Sequence, residues 1–156
     1  MSLKKLSIKN SETLNNLIAM AIEHTGGKAL EDARYSIDYS KGLYEPVYLG
    51  FYGKNNEDRF IRIILSYGFV DEDGNFHADP EIHIGYIEKY NQFFPFYIRA
   101  GSGNNVVDKR SAEFDSTGKI VWENTNEIQR DVHSFTNSIL TQIRERHIEA
   151  NGGEEE

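Results

Sequence analysis

Two stretches decide the fold, Arg59-Phe60-Ile61-Arg62-Ile63-Ile64-Leu65 and Ile82-His83-Ile84-Gly85-Tyr86-Ile87. Both are rich in β-branched and aromatic residues, and in the second the apolar Ile82, Ile84 and Tyr86 alternate with His83 and Gly85. A period of two places alternate side chains on opposite faces, so these are strands with one buried face. Working outward, Val47–Tyr52 is joined to the first stretch by the polar Gly53–Asp58, which suits a hairpin connection. Asp71-Glu72-Asp73-Gly74-Asn75 predicts a further turn. Phe93–Arg99 continues the pattern, and Pro95, which has no N–H to give a ladder, marks it as an edge or a bulge. Beyond the loop at Gly101–Asn105, runs near Val106–Phe114 and Lys119–Trp122 flank a hairpin turn at Asp115-Ser116-Thr117-Gly118. About five to six antiparallel strands result.

Helices bound this block on both sides. Leu14, Leu17, Ile18, Ala21 and Ile22 recur at helical spacing behind a cap at Asn10 or Ser11, and Gly26-Gly27 closes the helix, giving roughly 11–25. Asn124-x-x-Glu127 has capping-box spacing and precedes a stripe of Ile128, Val132, Phe135, Ile139 and Ile143. An antiparallel sheet with one apolar face needs cover, and two amphipathic helices supply it. The expectation is an α+β fold with both helices packed on one face of the sheet. Residues 1–150 form one domain and 151–156 a disordered acidic tail. The polar segment Lys28–Pro46, with Tyr35, Ile37, Tyr39 and Tyr44, has no decisive period.

Composition narrows the function. The chain has 156 residues and no cysteine, which removes disulfides, thiolate catalysis and cysteine-based metal sites. No run resembles a signal peptide or a membrane span, so a cytoplasmic protein without membrane attachment is expected. The formal net charge is −8. Residues 1–78 hold 9 basic and 11 acidic side chains against 8 and 14 in 79–156, so the acidity gathers in the second half, partly in Glu154–Glu156. Such a body repels phosphate, and direct nucleic-acid binding is not expected apart from a local patch at Arg99, Lys109 and Arg110.

Several constellations invite a chemical reading. His77, Asp79, Glu81 and His83 fall at alternate positions, and nitrogen and carboxylate ligands of that kind suit a divalent metal such as zinc, manganese or iron(II). Against this, ligands two residues apart on a strand diverge by nearly 7 Å, about twice the rise per residue, and the plain alternative is the solvent face of a strand. Asp71, Asp73, Asn75 and His77 mimic a calcium loop, but glycine stands at its fourth place and Ile82 where the bidentate glutamate belongs, so a polar turn is expected. Neither Gly101-Ser102-Gly103 nor Gly53-Lys54 completes a phosphate-binding motif, and the five histidines form no triad pattern. His24 suits a helix end, and His133 and His147 the polar side of the last helix. Among nine tyrosines and nine phenylalanines, most belong to a core, while Tyr86, Tyr97 and Arg99 are candidates for a binding surface.

Leu65-Ser66, Gly74, Asp79-Pro80-Glu81, Pro95-x-Tyr97-x-Arg99, Arg130-Asp131-Val132-x-Ser134-Phe135 and the paired Gly26-Gly27 together carry a resemblance. Over about 65–140 the chain resembles a family of small uncharacterised proteins, a domain of unknown function found mostly on plasmids, phages and other mobile elements. The resemblance implies a compact α+β shape and a genomic setting, and no activity. Three functions follow as expectations: a non-catalytic acidic interaction protein binding a protein partner, one that handles nucleic acid being the case considered; a metal-dependent enzyme using His77, Asp79, Glu81 and His83; and a small-ligand module with a pocket between sheet and helices. The first is preferred, with no cofactor required.

Overall fold

The computed structural model of the chain describes residues 11–24, 33–37, 47–52, 60–87, 92–101, 104, 106–115 and 119–150. Its elements are α1 (Ser11–His24), β1 (Ala33–Ile37), β2 (Val47–Tyr52), β3 (Phe60–Val70), β4 (Phe76–Ile87), β5 (Gln92–Ala100), β6 (Val107–Arg110), β7 (Ala112–Phe114), β8 (Ile120–Glu123) and α2 (Asn126–Ala150). Strands β1 to β6 form one antiparallel sheet in sequential order, and β7 pairs with β8 as a separate hairpin. This is the expected α+β architecture. The segment left open at 28–46 contributes β1, an outer strand; its other residues, the tail at 151–156 and the glycine pair at 26–27 lie outside the described residues.

Alternation sorts the side chains as read. Ile61, Ile63 and Leu65 of β3 and Ile82, Ile84 and Tyr86 of β4 are buried on the inner face, together with Leu49, Phe93 and Ile98. Leu14, Leu17 and Ile18 of α1 join the same core, as do Val132, Ile139, Leu140 and Ile143 of α2. Both helices therefore cover one face. Helix α2 is longer than its apolar stripe suggests, running 25 residues. Its start differs from the capping box expected at Asn124: Thr125 Oγ1 accepts the Ile128 N–H at 3.3 Å and is the cap. Asn124 instead ties the helix entry to the sheet edge, its backbone N–H donating to Ser111 O and its Nδ2 to Arg110 O, both at 2.9 Å.

The other face is not bare. The β7–β8 hairpin folds back over it, and Phe114 and Ala112 pack with Ile87, Phe94 and Phe96 in a second core, with Tyr97 and Ile120 at its margin. A break at Ser111 makes this possible. The run read as one strand near 106–114 is two, because buried Ser111 leaves the ladder to donate its N–H to Phe96 O at 2.8 Å and its Oγ to Pro95 O at 2.9 Å. Pro95 marks a bulge, as one of its two readings holds, but in an interior strand: His83 stands opposite Tyr97 and Ile84 opposite Pro95, leaving Phe96 as the extra residue.

Candidate functional site

The β5 bulge turns two consecutive side chains, Phe96 and Tyr97, to the outer face. His83 meets both rings edge-on, at 5.9 Å from Phe96 and 4.9 Å from Tyr97. Register then lays out two rows across β4, β5 and β6: His83, Tyr97 and Arg110, and beside them Glu81, Arg99 and Asp108. An imidazole, a phenol and a guanidinium thus lie in one row and alternating charges in the next.

Contacts within these rows satisfy much of the polarity. Tyr97 donates its hydroxyl to Asp108 Oδ2 at 2.9 Å, and the Arg110 guanidinium lies 4.6 Å over the Tyr97 ring. Desolvation, then the Asp108 carboxylate, hold the Tyr97 phenol above its ordinary pKa of 10.0. His83 Nε2 stands 3.8 Å from Glu81 Oε2, beyond a direct hydrogen bond. Burial outweighs that carboxylate and keeps the imidazole pKa below 6.5, so His83 is neutral at pH 7. Arg62 of β3, opposite Gly85, reaches toward the hairpin, donating from Nη2 to Phe114 O at 2.6 Å with its charge 5.9 Å over the Phe96 ring.

Of the four residues read as metal ligands, only Glu81 and His83 come together. His77 Nε2 bonds Asp71 Oδ2 at 2.7 Å in the β3–β4 turn, and Asp79 Oδ1 accepts the Gly101 N–H at 2.9 Å. Among the described residues no group of three or more His, Asp or Glu side chains could hold a metal ion. Two side chains are too few to hold an ion, and His77 and Asp79, carried away from them along the strand, take nearer partners. The loop that mimics a calcium site is a tight turn. Asp71 Oδ1 accepts the N–H groups of Asp73 and Asn75, each at 2.9 Å, and Gly74 takes φ +83°. Those bonds, led by that from His77, hold the Asp71 carboxyl below 3.8.

The candidate surface residues divide similarly. Tyr86 is a core residue, buried and stacked on Phe93 at 4.7 Å, which corrects its reading as a binding group. Tyr97 and Arg99 do share the outer face. The basic patch is split: Lys109 lies out of that row and pairs with Asp131 of α2 at 2.8 Å. Nor does His133 sit freely on the polar side of α2, since its Nε2 is buried without a hydrogen-bond partner. It lines a groove of about 270 Å³ with Asn126, Gln129 and Arg130, along the first turns of α2. The space between helices and sheet is occupied by the core side chains.

The sequence reading missed the outer surface of the β7–β8 hairpin. Glu113 stands opposite Trp122 and Phe114 opposite Ile120, so Val121 is an extra residue in β8. The bulge breaks the alternation, and Val121 and Trp122 both face solvent, 60% and 44% exposed. Adjacent large apolar groups on a structured surface are unlike scattered exposed residues, which every protein has. Across the strand from Trp122, Glu113 makes a 3.7 Å ion pair with Arg110, joining this patch to the charged rows. No protein-family model matches the chain, no curated protein matches its sequence, and no solved structure matches it. The resemblance to a mobile-element family therefore rests on its own residues. Among the described residues no helix is long and apolar enough to cross a membrane.

Proposed function

We propose that the chain is a non-catalytic acidic interaction protein whose hairpin and adjoining outer sheet face bind a protein partner. The observation that carries this reading is the pair Val121 and Trp122, held out to solvent side by side by the β8 bulge. Tryptophan and other aromatics dominate binding energy at interfaces, because one rigid ring buries a large area at little entropic cost. The hairpin holds them rigidly: Phe114 fills the second core, and the Arg62 guanidinium fixes its carbonyl. Charges around an apolar centre give orientation and association rate, and the rows at Glu81, Arg99, Asp108 and Arg110 provide them. A mobile-element setting would make a nucleic-acid-handling protein the partner, with association weakened by salt.

The test begins with capture of partners on the immobilised chain and on Trp122→Ala, followed by purification of any partner that distinguishes them. Its affinity for the wild type should exceed that for Trp122→Ala by about 30-fold, the loss of a central aromatic anchor. Equal affinity of the purified partner for both chains would contradict the proposal.

A further inference from the structure

We propose that the groove beside the first turns of α2 binds a small carboxylate, with Arg130 as its counter-charge. This goes beyond the docking of a protein partner and concerns a different surface. Among the described residues Asn126, Gln129, Arg130 and His133 line the groove, and they fall at i, i+3, i+4 and i+7, which brings all four to one face of the helix. None is apolar, so the groove suits a polar ligand. Gln129 is fixed in its wall, 5% exposed, with Nε2 donating to Asn124 O at 2.8 Å. Arg130 donates from Nε to Asn126 O at 3.4 Å, a long bond that holds the guanidinium beside the groove and leaves its two Nη groups for other acceptors. Among the described residues it forms no ion pair, whereas the adjacent Asp131 is taken up by Lys109 at 2.8 Å. His133 adds an independent observation: its Nε2 is buried without a hydrogen-bond partner. Buried polar groups are nearly always hydrogen-bonded, and an exception asks for the partner it lacks. Half a turn of the ring about Cβ–Cγ keeps it in the same space while moving Nε2, so an acceptor seated in the groove can take its N–H. These groups select the ligand. A guanidinium fork matches the two oxygens of a carboxylate, and one cation balances one negative charge. A dianion such as phosphate would be left half-compensated next to Glu127 in a protein of net charge −8. The groove's volume of about 270 Å³, just below the usual range of ligand pockets, limits the occupant to a small molecule.

The experiment follows the His133 ring resonance of the full-length protein by proton NMR, assigned by its loss in His133→Asn. Sodium acetate, benzoate and phosphate are titrated in, each against sodium chloride at equal ionic strength. At least one of the two carboxylates should shift the resonance saturably in the millimolar range and raise the pH at which the ring titrates, because a nearby negative charge favours the imidazolium. Arg130→Gln should weaken that binding about ten-fold, the low end for a lost hydrogen bond to a charged group. Lys119→Gln, which removes a positive charge from the hairpin, should leave it unchanged. No saturable shift by either carboxylate up to about 50 mM, an equal shift with chloride, or undiminished affinity in Arg130→Gln would overturn the site. Tighter binding of phosphate than of either carboxylate would overturn the assignment to carboxylates.

Discussion

Replacing Phe114 by alanine removes the side chain that clamps the hairpin to the sheet. Phe114 is 5% exposed and meets Phe96 edge-on at 5.5 Å, within a second core that includes Ile87, Phe94 and Ala112. Truncating a buried phenylalanine costs about 3–5 kcal/mol, the transfer of the ring plus the cavity left behind. Because this core borders solvent and the hairpin can settle inward, the lower end, about 3 kcal/mol, is expected. A chain of this size loses about 2–4 °C per kcal/mol, so the melting temperature should fall by roughly 6–12 °C. Urea unfolding followed in parallel by Trp122 fluorescence and by far-ultraviolet circular dichroism separates the layers. The tryptophan transition, which reports the hairpin, should move to lower urea than the helical signal, because the larger core between sheet and helices is untouched. Phe114→Leu should recover most of the loss. A change under about 1 kcal/mol by both probes would refute the packing of the hairpin on the sheet.

Ser111→Ala deletes the buried hydroxyl that donates to the Pro95 carbonyl at the bulge, and should cost about 1–3 kcal/mol in urea unfolding, whereas an exposed serine would cost almost nothing. Gly74→Ala forces a side chain into φ +83° where nothing crowds it sterically, so the penalty is purely conformational, about 1 kcal/mol, and Gly74→Asn should recover part of it. Thermal stability should fall as pH drops below 6.5, because the unfolded chain gains protons at His83 and His133 that burial withholds from the folded chain. His83→Asn should flatten that slope. Below pH 3.8 stability should fall again as Asp71, held ionised by its turn, is protonated.

Much of this architecture was legible because burial writes a period into the sequence. Ile82, Ile84 and Tyr86 against His83 state which way β4 faces, and Leu14, Leu17 and Ile18 state the inner stripe of α1. What escaped were the insertions of one residue. A bulge shifts every later side chain to the opposite face and leaves no compositional trace unless a proline or glycine marks it. Pro95 did mark the β5 bulge, though the strand it bends is interior; β8 has no such residue, and the exposure of Val121 beside Trp122 became visible only in the register. Ser111 looks like an ordinary strand residue, yet its two hydrogen bonds to β5 split a strand and create the second layer. The alternating His77, Asp79, Glu81 and His83 do lie along one strand, but His77 and Asp79 take partners at Asp71 and Gly101, leaving only Glu81 and His83 near each other.

The central claim is that Val121 and Trp122 form an open docking face, and acrylamide quenching of Trp122 tests it most directly. In the free protein the ring should be quenched efficiently, as an indole open to water is, and adding the purified partner should protect it and move its emission to shorter wavelength. Inefficient quenching in the free protein, or quenching that the bound partner leaves unchanged, would contradict the account.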